Sequence, residues 1–147
     1  MGNRVNVVRG VRRWAIAAAA VASISSVPLS AVLAETVSSY TQAQADRGHR
    51  AYDANCSGCH GTTFGGSAEV PTLVGSGFRE HWFIGSPAMF MAFISANMPQ
   101  QDPGSLDPKT YADIAAYLMS KNRVKAGDAE LPTDPAALSN ITLPPLQ

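Results

Sequence analysis

The feature that most constrains this 147-residue sequence is Cys56-Ser57-Gly58-Cys59-His60, which contains its only two cysteines. C-x-x-C-H is the attachment pattern for a covalent haem, because two thiols at this spacing can each add to one vinyl group of the same haem. The histidine that follows is then held beside the porphyrin, where its imidazole can bind the iron. The motif therefore predicts haem c attached through Cys56 and Cys59, with His60 as an iron ligand.

Three other uses of a cysteine pair fit the sequence less well. A zinc site usually needs two ligand pairs, and the remaining histidines, His49 and His81, have no ligand spacing. A thioredoxin-like pair needs a strand followed by a helix, whereas this motif follows a predicted helix. A structural disulfide suits an exported protein but does not require the adjacent histidine. Haem attachment is therefore favoured over all three.

The N-terminal region has the composition of an export signal. Four arginines lie within the first thirteen residues, and an apolar stretch over residues 14–34 ends with Ala34 before Glu35. A basic start, an apolar middle and a small-residue exit are typical of a secretory signal peptide. We therefore predict that residues 1–34 are cleaved after about Ala34 and that the protein is periplasmic. An uncleaved membrane anchor is the alternative, which four serines and Pro28 disfavour.

Charge limits the partners of the chain that would remain. After residue 34 there are seven Lys and Arg against eleven Asp and Glu, a net charge of −4. This mild acidity argues against nucleic acid as a partner. A chain of about 113 residues can bury only a small core, and domains of that size often depend on a cofactor or disulfide.

Helical periodicity accounts for most of the rest, and no strand pattern is evident. The predicted helices cover residues 41–55, 78–83, 86–97 and 107–122. Thr41 and Gln44 resemble a capping box at the first of them, and Asp107-Pro108 gives a cap and a first-turn proline at the last. We therefore predict an all-α domain over residues 35–125, with three to five helices around one haem.

Residues 126–147 form a proline-containing tail with little periodicity. We predict that this tail is extended and partly mobile, or that it lies over the surface of the domain.

The sixth position on a haem iron needs a second ligand or stays open. Three methionines lie within apolar helical runs and are predicted to fill the core. Met98 differs, since it ends a helix beside Pro99 in a loop that could cover the other haem face. We predict Met98 as the sixth ligand, with His81 or an open site as alternatives. The full candidate set is Met89, Met91, Met98, Met119, His49 and His81.

Beyond the attachment motif, the chain resembles class I cytochromes c. Gly48-x-x-x-Tyr52 and the Ile114-Ala-Ala-Tyr-Leu segment resemble the residues at which the terminal helices of that family cross. Pro71-x-Leu73 resembles the segment after the haem motif. This resemblance implies that the Pro71 carbonyl accepts a hydrogen bond from the proximal histidine and that Leu73 packs on the haem.

Two further segments extend the resemblance. Met98-Pro99 and the loop after it are similar to the methionine loop of bacterial members. Trp82 matches the tryptophan that faces a haem propionate, and an ordinary core position is equally favoured for it. The tail is similar to tails on cytochromes that accept electrons from quinoprotein (PQQ) dehydrogenases.

Together these features predict an electron-transfer protein and not an enzyme. Iron held by histidine and methionine cycles between Fe(III) and Fe(II) without binding a substrate. The expected partners are redox proteins, with a quinoprotein dehydrogenase as donor and an oxidase or another cytochrome as acceptor. One alternative is an electron-accepting subunit of a dehydrogenase complex, which an apolar surface patch or an ordered tail would favour. A haem enzyme or sensor with an open sixth site is another alternative.

Overall fold

The computed structural model describes residues 1–2 and 40–143. The chain divides into two compact units, Met1–Ala31 and Val32–Gln147, and every helix of the described part belongs to the second. The predicted signal peptide lies outside the described residues apart from Met1 and Gly2, so its cleavage stays a prediction. Among the described helices, none has the length and apolar character needed to cross a membrane.

The second unit is helical throughout its described part, which confirms the predicted all-α class. No strand occurs within residues 40–143. The helices are α1 Gln42–Asn55, α2 Ser57–His60, α3 Ser76–Trp82, α4 Ala88–Asn97, α5 Pro108–Lys121 and α6 Pro135–Ser139. Four of them begin and end within about two residues of the predicted helices, and α2 and α6 were not predicted. Both are too short to show a helical repeat of apolar residues.

The N-terminal ends of α1 and α5 have most of the capping hydrogen bonds that the sequence predicts. The Thr41 side chain accepts a hydrogen bond from the Gln44 amide, and the Asp107 side chain accepts from the amides of Lys109 and Thr110. The reciprocal half of the capping box is wrong. The Gln44 side chain instead exchanges two hydrogen bonds with the backbone of Leu131, because the tail runs past this end of α1.

The crossing of α1 and α5 forms the frame of the unit. A Cβ atom added to Gly48 would lie 1.8 Å from the Asp113 carbonyl oxygen, so only glycine permits this approach. Beside it, the Arg47 guanidinium makes two 2.9 Å hydrogen bonds to the buried Asp113 carboxylate. Helix α5 is buried over residues 111–119 and not only along the predicted stripe, because α1 and α4 pack on it and Phe64 of the loop after α2 contacts Tyr117.

The tail lies on the domain as far as Leu143. Leu131, Leu138 and Leu143 are all buried. Leu143 donates its amide to the Gly85 carbonyl, and Leu138 accepts a hydrogen bond from the Ser86 hydroxyl. Of the two conformations predicted for the tail, the structure has the one laid over the surface, and part of it is helical.

Candidate functional site

A single cavity of about 370 Å³ brings the predicted site residues together. It lies between α2, the loop over residues 61–75, α3, α4 and α5. Its volume falls in the range typical of small-molecule and cofactor sites, and its walls are mainly aliphatic and aromatic. All seven residues predicted to attach, ligate or contact the haem line it: Cys56, Cys59, His60, Pro71, Leu73, Trp82 and Met98.

His60 is the polar group best fixed in this cavity. It lies at the end of α2 and is 9 % exposed. Its Nδ1 lies 3.1 Å from the Pro71 carbonyl oxygen. A carbonyl oxygen only accepts, so in the neutral ring Nδ1 carries the proton and Nε2 keeps its lone pair. Nε2 is therefore the atom left to act as a ligand, and the contact between His60 and Pro71 has the geometry that the family resemblance implied.

The loop after the motif is folded back on itself and fixes the Pro71 carbonyl. Gly66 donates its amide to the His60 carbonyl and has a φ of 65°. A Cβ atom there would lie 2.0 Å from the Val70 carbonyl oxygen and 2.8 Å from that of Pro71. The loop is closed further along by a hydrogen bond from the Leu73 amide to the Phe64 carbonyl. Glycine at position 66 is thus needed for the contact that orients His60.

The two cysteines differ in their surroundings. Burial, and to a smaller extent the neighbouring Cys59, raises the pKa of the Cys56 thiol to about 11. Cys59 is exposed at the mouth of the cavity, where its Sγ lies 3.7 Å from the side-chain amide of Gln101. The two sulfur atoms are not joined in a disulfide, so both are available for a cofactor.

Only two of the six candidate sixth ligands line the cavity, namely Met98 and His81. Met98 is half-buried in extended backbone just after α4, and its carbonyl accepts a hydrogen bond from the Tyr111 hydroxyl. His81 is exposed at the end of α3. His49 is exposed on α1, where its ring stacks on Tyr117 at 4.7 Å.

The remaining methionines follow the predictions in part. Met91 and Met119 are buried in the core as predicted. Met89 is 68 % exposed, so its predicted place in the core is wrong. It lies on an exposed side of α4, which could not be recognised from the sequence because the whole helix is apolar.

Several residues that shape the site had no functional role in the sequence-based prediction. The Tyr111 hydroxyl and the Asn122 amide anchor the carbonyls of Met98 and Leu73, respectively. A tyrosine on a buried helix face was a usable signal, because a buried hydroxyl needs a partner. The partner itself lies 13 residues away and could not be read from periodicity. Trp82 is half-buried against Phe90 and Phe93 on the cavity wall, which fits both of its predicted roles.

The residues present fit a haem. Apolar walls suit the porphyrin, a buried imidazole nitrogen suits the iron, and two free thiols lie beside that imidazole in the sequence order that attachment requires. A helical domain with such a cavity and a C-x-x-C-H motif is a c-type cytochrome domain. Cys56 and Cys59 are its attachment pair, and covalent haem c is its cofactor.

Comparison with known families agrees with this assignment. The family described as cytochrome c oxidase, cbb3-type, subunit III matches residues 43–118, just over half of the chain, and the chain belongs to this family. The matched segment includes the attachment motif, the loop after it, Met98 and most of α5, and it stops before the tail. No curated protein and no solved structure matches the chain significantly. The family supports haem-based electron transfer with redox partners.

Proposed function

We propose that the protein is a periplasmic carrier of electrons whose single haem iron is held by His60 and Met98, and that it catalyses no substrate reaction of its own. The observation that carries this proposal is the shared cavity. Met98 is the only methionine of the described residues that lines it, and His60 lines it as well. When bound, the haem supplies one-electron cycling between Fe(III) and Fe(II).

The chain's own residues prepare both ligands. The Pro71 carbonyl holds the His60 ring in the tautomer that leaves Nε2 free and raises its basicity. The Tyr111 hydroxyl fixes the backbone of Met98, whose soft thioether favours ferrous iron and raises the reduction potential. Leu73 and the aromatic side chains of α3 and α4 give the cavity apolar walls. With His60 and Met98 both bound to the iron, no position would remain for a substrate.

Met98 is favoured over His81 because it is anchored and half-buried, whereas His81 is exposed at the rim. A ligand that is already held loses less conformational entropy when it binds. Trp82 is assigned to a haem propionate on the basis of its place on the cavity wall beside the rim. Its indole N–H is a donor, which suits a carboxylate.

The visible spectrum of the matured ferric protein tests the ligand set. A weak near-red charge-transfer band marks a methionine sulfur on ferric iron. We expect this band in the wild-type protein and its loss in Met98→Ala. Met89→Ala, which truncates an exposed methionine of α4 and leaves the core intact, is the matched control and should keep the band. A wild-type spectrum without the band would refute methionine ligation, and loss of the band in His81→Ala but not in Met98→Ala would reassign the ligand.

A second role, as a fixed subunit of a larger redox complex, is favoured by three exposed apolar side chains. Ile84, Met89 and Phe93 are the most exposed large apolar side chains among residues 40–143. No charged residue occurs between positions 82 and 101, which include all three. Exposed apolar side chains in a segment without charged residues are more typical of lasting interfaces than of salt-dependent encounters. The matching family is described as a subunit of an oxidase, which supports an oxidase as acceptor.

Separation of native extracts by size, with detection of covalent haem, tests the fixed-subunit role. Haem from this protein should migrate with a large complex, and Met89→Glu should shift it to the mass of the free chain. Ser139→Glu, which places the same charge on an exposed residue of α6, should leave the complex intact. Wild-type haem that migrates at the free mass would contradict this role and leave a diffusing carrier. The electron donor would then be identified by the rate at which each candidate, a quinoprotein dehydrogenase among them, reduces the haem of this protein.

A further inference from the structure

The start of α4 is bonded to the C-terminal tail. The Ser86 hydroxyl accepts a hydrogen bond from the Ala88 amide at 3.1 Å and donates one to the Leu138 carbonyl at 2.7 Å. The neighbouring Gly85 carbonyl accepts the Leu143 amide at 2.6 Å. Two of the residues that lead into α4 are therefore held by residues 134–143, which we call the C-terminal strap.

The strap is also one of the main packing partners of α4, which packs chiefly against α5 and α6. Leu138 and Leu143 are 2 % and 4 % exposed, so the strap buries apolar surface where it meets the domain. Elsewhere α4 contacts aromatic side chains of α3, where Trp82 packs against Phe90 and Phe93. If the strap is loosened, α5 and α3 still contact the helix, but the hydrogen bonds at its start are lost.

A displacement of α4 would reach Met98 directly. Met98 follows the last helical residue, and its amide still donates to the Ile94 carbonyl within the final turn. A short helix moves as a nearly rigid rod, so a change at Ser86 shifts the other end as well. His60 would not move with α4, because its ring is oriented by the Pro71 carbonyl, eleven residues away in the loop after the motif.

We propose that the C-terminal strap positions Met98 and thereby keeps the sixth coordination site closed, an inference that rests on the proposed histidine and methionine ligation. Leu138 and Ser86 act as positioning residues. Loosening the strap would leave the haem attached and His60 in place while it raises the fraction of molecules in which Met98 is detached. The strap lies outside the matched family segment, which ends at residue 118, so this control belongs to the part of the chain that the family does not describe.

Two leucines of the tail provide a matched pair of variants. Leu138 and Leu131 are each 2 % exposed, but Leu138 lies on α6 against α4, whereas Leu131 is bonded to Gln44 on α1. We expect Leu138→Ala to weaken the near-red band of the ferric holoprotein and to tighten the apparent binding of imidazole by about tenfold. Leu131→Ala should lose thermal stability to a similar extent while it keeps the wild-type band and imidazole affinity.

The outcomes separate this inference from the proposed function. A wild-type protein without the near-red band refutes methionine ligation, and the role of the strap falls with it. A wild-type band that Leu138→Ala and Leu131→Ala weaken equally, or that neither weakens, overturns the strap alone. If Leu138→Ala does not mature, Ser86→Ala removes a single hydroxyl and should shift imidazole affinity in the same direction, by about threefold. An unchanged affinity in Ser86→Ala would also overturn the proposal.

Discussion

The two sides of the cavity are held in different ways. On the side of His60, a short loop supplies the hydrogen bonds to the carbonyl and the ring of the histidine: the Gly66 amide donates to the His60 carbonyl, and the Pro71 carbonyl contacts Nδ1. On the side of Met98, the contacts come from distant parts of the chain. Tyr111 bonds the Met98 carbonyl, and Leu138 supports the start of α4 from 52 residues away.

This difference bears on which of the two proposed ligands could be lost. His60 is fixed by local structure and by the covalent attachment beside it, so under the proposed ligation partial unfolding would leave it near the iron. The methionine depends on tertiary packing, which is the first thing to weaken when a domain opens locally. The Met98 side is therefore the adjustable side of the site, and the His60 side is the constant one.

The largest expected effect comes from breaking the frame that both sides share. Gly48→Val would place a side chain into the Asp113 carbonyl, which is backbone and cannot move aside. We expect a loss of about 3 kcal/mol or more in the free energy of unfolding of the holoprotein. Gly77→Ala, in α3 with nothing within 4 Å of the added Cβ, is the control and should be neutral or slightly stabilising. Equal stability of the two variants would contradict the close crossing of α1 and α5.

A smaller and one-sided effect is expected at Gly66. Gly66→Ala strains a left-handed residue and pushes on the Pro71 carbonyl, so it should cost about 2 kcal/mol of stability. Weakening the bond to His60 Nδ1 lowers the basicity of the ligand, and the reduction potential should rise. The near-red band should persist, because Met98 is untouched. A potential that stays at the wild-type value while stability falls would show that the Pro71 contact does not tune the iron.

The opposite side is tested by two tyrosines in similar bonds. Tyr111→Phe removes the donor to the Met98 carbonyl, and Tyr40→Phe removes the donor to the Val124 carbonyl. Each should cost about 1 kcal/mol of stability. Imidazole should bind more tightly to ferric Tyr111→Phe and unchanged to Tyr40→Phe, because only Tyr111 holds the methionine loop. Equal imidazole affinity in the two variants would contradict this role for Tyr111.

The smallest expected effect is on the stability of the fold at low pH, and it arises at Asp107, which lies on neither side of the cavity. Hydrogen bonds from the Thr110 hydroxyl and amide lower the pKa of Asp107 below its usual value of 3.8. A depressed pKa in the folded state stabilises the fold above the unfolded-state pKa, and this contribution is lost as the pH falls through the folded-state value. The melting temperature of Asp107→Asn should therefore fall less steeply below about pH 4 than that of the wild type. Asp128→Asn, which alters a carboxylate outside any helix, should follow the wild-type profile.

The features that the sequence predicts correctly are those that depend on local structure, as on the His60 side of the cavity. The motif, the cap at Thr41, the cap and proline at Asp107-Pro108 and the close approach at Gly48 are local signals, and the structure has all of these features. The Asp134-Pro135 pair at the start of α6 repeats the signal at Asp107-Pro108, but only five helical residues follow, too few for periodicity to reveal.

The errors occur where tertiary contacts decide the outcome. Gln44 has the position of a capping-box residue, yet its side chain pairs with Leu131, because a buried amide takes the partner that packing brings to it. Met89 is an apolar residue in an apolar helix, but it is exposed because the packing partners of α4 cover other faces of the helix. The roles of Tyr111 and Asn122 likewise depend on where a distant carbonyl lies. No local sequence pattern specifies such long-range contacts.

The most direct test of a closed electron-carrying site is the response of the reduced holoprotein to carbon monoxide. Carbon monoxide binds ferrous haem only where an axial position is open or its ligand is easily displaced. With His60 and Met98 in place, we expect no change in the Soret band of the wild-type protein over minutes, and rapid binding in Met98→Ala. Rapid binding of carbon monoxide by the wild-type protein would contradict the account and would indicate a haem with an open or readily opened sixth site.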